Sequence, residues 1–264
     1  MFDIRSKKRI VIKLGTSTLT HKTGKLNIRR MTNLTRVLAD IQNAGHEIIL
    51  VSSGAVGLGV GKLNLPERPK DTPGKQAAAA VGQCELMHIY DEMFSRYSIT
   101  VAQILLTKTI ISSPDRVDNV RNAIEALTRV NCIPIVNEND TVAIDELELE
   151  IGENDSLSAV VASIAGAEAL IILSDIDGLY DSDPHSNPDA KIIPVVERID
   201  DNIDQIAGGA GSVLGSGGMA TKINAARIAT AAGVDMLIMN GKNPEDLYKL
   251  FDGQEIGTYF PARK

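Results

Sequence analysis

The sequence is poor in the residues that most readily announce a function. Aromatic side chains make up 3 % of its 264 residues, and tryptophan is absent. The stacking platforms of a single-strand nucleic-acid binder are therefore missing. Positive charge is not in excess either: the formal net charge is −7. That balance disfavours a phosphate-backbone partner, so no nucleic acid is expected. The two cysteines, Cys84 and Cys132, sit in no CxxC pair and near no histidine cluster. Both are expected to be buried thiols in a reducing cytoplasm. No apolar stretch approaches the ~18 residues of a membrane span, and residues 1–8 lack the apolar core of a signal peptide. A cytoplasmic protein with no membrane association is the expectation. Three nucleotide signatures are also missing. There is no Gly-x-x-x-x-Gly-Lys-Ser/Thr loop, no protein-kinase set, and no G-x-G-x-x-G turn directly after a strand, which argues against a dehydrogenase.

What is present is an ordinary globular composition, 44 % hydrophobic and 23 % charged, enough for one large α/β domain or two small ones. Short apolar runs at 9–14, 47–51, 99–106, 132–136, 169–173 and 234–239 read as strands. Between them lie helical patterns. Asn27 is placed to cap a helix through about Asn43, with Ile28, Met31, Leu34, Leu38 and Ile41 on one face. Residues 74–97 form a long helix with a closely packable alanine centre. Ser113-Pro114-Asp115 opens a helix with Val117, Val120, Ile124 and Leu127 inward. Further helices are expected after Asn154-Asp155, at 217–232, and from Asn243. Gly57, Gly59 and Gly61 read as a mobile turn. Residues 141–151, with four acids, read as a solvated hairpin rather than a metal site. Residues 191–196 read as a peripheral strand, 208–218 as flexible, and the tail as an edge strand. Alternation of continuous apolar strands with helices is the pattern of a parallel sheet covered on both faces. No linker or repeat divides the chain, so one domain spans 1–264, with lobes at about 1–165 and 166–264.

Sites in such folds lie at the carboxyl ends of the strands. Lys13, Ser53-Gly54, Asn137-Glu138-Asn139-Asp140 and Ser174-Asp175 all fall there. Lys13 by itself reads as a solvated lysine at a strand end. A second glycine turn with a lysine, Gly215-Ser216-Gly217-Gly218-Met219-Ala220-Thr221-Lys222, changes that. Two lysines on two glycine turns suit a polyphosphate, because phosphoryl transfer needs fixed positive charge and backbone N–H donors. An ordinary loop before a helix stays open for this second stretch alone. The Asn/Asp clusters at 137–140 and 152–155 could be plain turns and caps. Together they offer carboxylates for an α-ammonium group and amides for a carboxylate, as an amino-acid ligand would require.

The motifs Lys13-Leu14-Gly15-Thr16-Ser17, Val51-Ser52-Ser53-Gly54-Ala55, Lys75-Gln76-Ala77, Val81-Gly82-Gln83, Val136-Asn137-Glu138-Asn139-Asp140, Asn154-Asp155-Ser156-Leu157-Ser158-Ala159 and the 215–222 stretch occur in this order. In this the chain resembles the glutamate 5-kinases (γ-glutamyl kinases) of the amino acid kinase family. The resemblance implies a three-layer α/β/α sandwich with a mainly parallel central sheet. It implies ATP-dependent phosphorylation of the γ-carboxylate of L-glutamate, the first step of proline biosynthesis, with Mg²⁺ carried by ATP and no dedicated metal ligands. Lys13 and Lys222 would stabilise the transferring phosphoryl group and Asp155 would hold them. Gly15 and Gly54 would donate backbone N–H groups. Ser53, Asn137, Asp140 and Asn154 would bind glutamate. Ser174, Asp175, Ser216, Gly217, Gly218, Met219, Ala220, Thr221 and Lys222 would bind the nucleotide. Feedback inhibition by L-proline, a homo-oligomer (dimer or tetramer) and functional coupling to glutamate-5-semialdehyde dehydrogenase are also implied. Many members carry an extra C-terminal domain resembling an RNA-modifying module, which this chain is expected to lack. Glu153 stands where an Asp is often seen.

Because a carboxylate acceptor is already ionised at neutral pH, no general base is needed. That agrees with the position of His21, His46, His88 and His185 outside every motif. The rivals are sister kinases acting on N-acetylglutamate, aspartate, carbamate or UMP, and a non-catalytic nucleotide or amino-acid sensor. Asp140 near an α-amino position favours a free amino acid.

Overall fold

The structure is a computed structural model that describes residues 2–21, 25–142, 154–184, 186–209 and 218–263. A 3-10 turn (Ile4–Ser6) precedes β1 (Arg9–Leu14). Then come α1 (Thr16–Leu19), α2 (Ile28–Asn43), β2 (Glu47–Ser52), α3 (Ala55–Lys62), α4 (Thr72–Ser95), β3 (Val101–Leu106), α5 (Lys108–Ile111) and α6 (Pro114–Arg129). The chain continues through β4 (Ile133–Glu138), α7 (Asn154–Ile164), β5 (Ala169–Ser174), α8 (Asp201–Gly209), α9 (Met219–Ala231), β6 (Asp235–Asn240), α10 (Asp246–Phe251) and β7 (Thr258–Phe260).

The strands make one sheet in the order β3-β4-β2-β1-β5-β6-β7. All neighbours are parallel except β7, which runs antiparallel to β6. β1 is central because its apolar residues are buried on both faces. Ile10, Ile12 and Leu14 point into a layer with α2, α4 and α10, while Val11 points into a layer with α7, α8 and α9. This two-sided burial is why the inner strands read as continuous apolar runs. The three-layer sandwich with a mainly parallel sheet is the observed fold. Among the described residues no helix is long and apolar enough to cross a membrane.

Several local expectations need correction. Gly57, Gly59 and Gly61 do not form a mobile turn; they lie in helix α3. The reason is close packing. A Cβ at Gly59 would fall 1.8 Å from the Ala78 carbonyl oxygen of α4, and one at Gly82 would fall 1.7 Å from that of Ala55. These glycines let two helix backbones touch. Ile28 heads α2 but is 65 % exposed, since the helix begins beyond the edge of the core. Asn27 does cap it, accepting from Arg30 N at 3.1 Å. In α6, Ile124 is buried but Val117, Val120 and Leu127 are only partly so. Residues 191–196 form isolated bridges, Tyr180 with Ile192 and Val195 with Tyr259, in place of a strand. Cys132 is buried as expected, but Cys84 is exposed on α4. The hairpin expected at 141–151 and the flexible stretch at 208–218 lie largely outside the described residues.

Candidate active site

Lys13 lies on β1 with the parity of Val11, so its side chain faces the α7 layer. It is not a solvated strand end: only 8 % of it is exposed. Its Nζ lies 2.6 Å from Oδ1 of Asp155, a close ion pair. Asp155, in the first turn of α7, is 1 % exposed, buried more deeply than a cap residue needs to be. Lys222, in the first turn of α9, brings Nζ to 3.1 Å from the other oxygen, Oδ2. Thr221 Oγ1 donates to that same oxygen at 2.9 Å. Burial pushes the Asp155 carboxyl up, but the Lys13 and Lys222 ammoniums outweigh this and hold it below its ordinary range. The Asp155 carboxylate thus holds two buried ammoniums at the carboxyl end of β1. Such a fixed, water-poor charge is suited to a group that gains negative charge during reaction.

A second, neutral cluster adjoins the first. Asn154, the residue before Asp155, donates from Nδ2 to Ser53 Oγ at 2.6 Å and to Asn137 Oδ1 at 3.1 Å. Asn137 donates in turn to Gln83 Oε1 of α4 at 3.0 Å. Gly54 follows Ser53 and caps α3 with φ +109°, a left-handed conformation that suits glycine and turns the backbone sharply after β2. Gly15 opens the turn after β1, its carbonyl accepting from Thr18 N at 2.9 Å. Asp140 lies on the turn that follows β4. Four strand-end segments, after β1, β2, β4 and β5, therefore open on one edge of the sheet.

The nucleotide candidates are more dispersed. Ser174 ends β5 and donates to Asp175 Oδ1 at 3.2 Å, with Asp175 exposed. Gly218 caps α9, Met219 packs into the core and Ala220 is exposed. Ser216, Gly217 and Glu153 lie outside the described residues. Gln83 was not among the sequence candidates. Its signal was a polar residue within the buried face of α4, between Ala79 and Leu86.

The family model described as the amino acid kinase family matches residues 8–240. A glutamate 5-kinase of Clostridium perfringens is 51 % identical over 263 residues, covering 99 % of this chain and 98 % of that protein. One from Listeria monocytogenes serovar 1/2a is 48 % identical over 264 residues, covering 99 % and 96 %. Among solved structures, an isopentenyl phosphate kinase of T. acidophilum superposes with a TM-score of 0.66 at 16 % identity, covering 96 % of this chain and all of that one. That last likeness is one of fold. With the fold, the paired lysines and these relatives in agreement, the chain belongs to the amino acid kinase family and, within it, stands with the glutamate 5-kinases.

Proposed function

We propose that the chain transfers the γ-phosphoryl group of ATP to the γ-carboxylate of L-glutamate, giving ADP and L-glutamate 5-phosphate, the first step of proline biosynthesis. The observation that carries this reading is the buried Lys13–Asp155–Lys222 cluster beside the neutral cluster of Ser53, Asn137 and Asn154. A γ-carboxylate oxygen attacks the terminal phosphorus as the bond to the bridging β,γ-oxygen breaks. Lys13 and Lys222 offset charge on the transferring group, and Asp155 keeps both ammoniums aimed. Gly15 and Gly54 supply backbone N–H donors. Ser53, Asn137, Asn154 and Asp140 hold the amino acid. Ser174, Asp175 and the 216–222 segment hold the nucleotide. In this reading the lobe at about 1–165 carries the amino acid and the lobe at 166–264 the nucleotide.

Mg²⁺ belongs to this reading as the ion that neutralises the nucleotide's phosphates when bound. Among the described residues no group of three His, Cys, Asp or Glu side chains could hold a metal, and both oxygens of Asp155 already face ammoniums. In this reading the ion is brought in on ATP. The same reading includes a cytoplasmic location, feedback inhibition by L-proline, and coupling to glutamate-5-semialdehyde dehydrogenase, which would consume the labile acyl phosphate. A homo-oligomer, dimer or tetramer, is supported by β3, the sheet's edge strand, whose Val101, Ala102, Ile104 and Leu105 are only half-buried.

The test is hydroxamate trapping of the acyl phosphate with ATP and L-glutamate, run against N-acetyl-L-glutamate and L-aspartate. Glutamate-dependent hydroxamate is expected, with little from the other two. Preference for either competitor would reassign the substrate, and no turnover with any would favour a sensor.

A further inference from the structure

Gln83 is buried, with 8 % of it exposed, yet its Nε2 has no hydrogen-bond partner among the described residues. Buried amide donors rarely go unmatched, because the desolvation penalty is then uncompensated. Its other end is committed: Oε1 accepts from Asn137 Nδ2 at 3.0 Å. In the structure the chain runs one way: Asn137 Oδ1 accepts from Asn154, which also donates to Ser53. The donor left over at the far end is Gln83 Nε2.

The position of Gln83 is rigid. Gly82, its neighbour, packs against the Ala55 carbonyl of α3, where no side chain would fit. Helix α4 is thus pressed onto the start of α3, the helix that follows the Ser53-Gly54 turn, and Gln83 reaches Asn137 from it. Lys13 is on β1, Ser53 follows β2 and Asn137 is on β4, and these strands are successive neighbours. The cluster therefore spans two inter-strand spacings, about 10 Å. A dicarboxylate lying across β2 with its reacting end at Lys13 would carry its other carboxylate toward Asn137 and Gln83.

We infer that Gln83 is a substrate-binding residue whose Nε2 donates to the α-carboxylate of the bound amino acid. This rests on the proposed function and extends it to the end of the substrate that does not react. Gln83 also positions Asn137, so the test separates contact from support.

Two full-chain variants are compared with the unsubstituted protein on L-glutamate and on L-glutamate α-amide, by hydroxamate trapping, with thermal melts of each. Gln83→Glu keeps an acceptor for Asn137 but replaces the donor. It should raise KM for glutamate roughly 10- to 100-fold with KM for ATP little changed. The α-amide, which can donate to the new carboxylate, should lose much less. Gln83→Met deletes donor and acceptor and should raise KM for glutamate without favouring the α-amide. An unchanged glutamate KM in either folded variant would overturn the assignment, as would equal losses on both compounds in Gln83→Glu. If Gln83→Glu does not fold, Gln83→Met still overturns the assignment by an unchanged glutamate KM, and a loss on glutamate larger than that on the α-amide supports it. Absence of glutamate-dependent hydroxamate in the unsubstituted protein would instead sink the proposed function, and this assignment with it.

Discussion

Asn154 and Asp155 are adjacent in sequence, yet each belongs to a different cluster. Asp155 faces two ammoniums and a hydroxyl, whereas Asn154 faces a hydroxyl and an amide. Successive residues of a helix point about 100° apart, so one helical turn can serve two environments. In the charged cluster two buried ammoniums are held ready, and their value lies in the transition state. In the neutral cluster every bond is directional and no net charge is present, so its value lies in fixing which way a substrate lies. The first should govern kcat and acid stability; the second should govern KM for the amino acid.

The largest effect expected is from Asp155→Asn. It leaves Lys13 and Lys222 buried near one another without their shared counter-charge. Breaking a buried pair in this way typically costs about 3–5 kcal/mol. The pH dependence has a definite sign. The folded carboxyl titrates below its ordinary value of 3.8, so its ion pairs stabilise the fold above that value. The stabilisation is lost as pH falls through the folded pKa. Denaturant titrations at pH 7 and near pH 3 should therefore show the gap between native and Asp155→Asn proteins narrowing in acid. A gap that stays constant with pH would mean that Asp155 contributes by packing alone.

Next comes Lys222→Ala, expected to lower kcat by a factor on the order of 10² or more, with KM for glutamate nearly unchanged. Near-normal turnover would refute the assignment of Lys222. A rise confined to the glutamate KM would erase the division of labour between the two clusters. Steady-state kinetics with glutamate and ATP varied in turn distinguish these results.

The strands and their order of appearance were legible because a parallel sheet covered on both faces writes continuous apolar runs into the chain. The carboxyl-end rule then pointed to Lys13, Ser53, Asn137 and Ser174 before any coordinates. The burial of Lys13 was not legible. Its solvent exposure depends on Asp155 and Lys222, far away in sequence, and nothing local to 9–17 encodes them. Helix α3 was missed for a similar reason. Glycines at 57, 59 and 61 weaken helix propensity, and only the facing backbone of α4 reveals that Gly59 is there for contact. Gln83 fell between the two cases, since a polar residue on a buried helical face is visible as an anomaly but its partner is not. The weak burial of α6 was not legible either, because strand order across the sheet, and so what a helix packs against, cannot be read from chain order.

The smallest effect expected is from Thr221→Val, and it probes the boundary of the charged cluster. The Thr221 hydroxyl has one proton and two acceptors within reach, Asp155 Oδ2 at 2.9 Å and the Gly218 carbonyl at 2.8 Å. It can satisfy only one at a time, so its hold on Asp155 is partial. Valine keeps the shape and removes the bond, at a cost of about 0.5–1.5 kcal/mol in stability. Because Lys222 still engages the same carboxylate oxygen, Asp155 should keep both ammoniums in place and kcat should fall only a few-fold, roughly 2- to 10-fold. A loss as large as that of Lys222→Ala would make Thr221 part of the charge-bearing machinery. The double variant sharpens this. If Thr221 acts only through the Asp155–Lys222 contact, removing it in a Lys222→Ala background should change kcat little further, whereas additive losses would mean that the hydroxyl acts on the nucleotide directly.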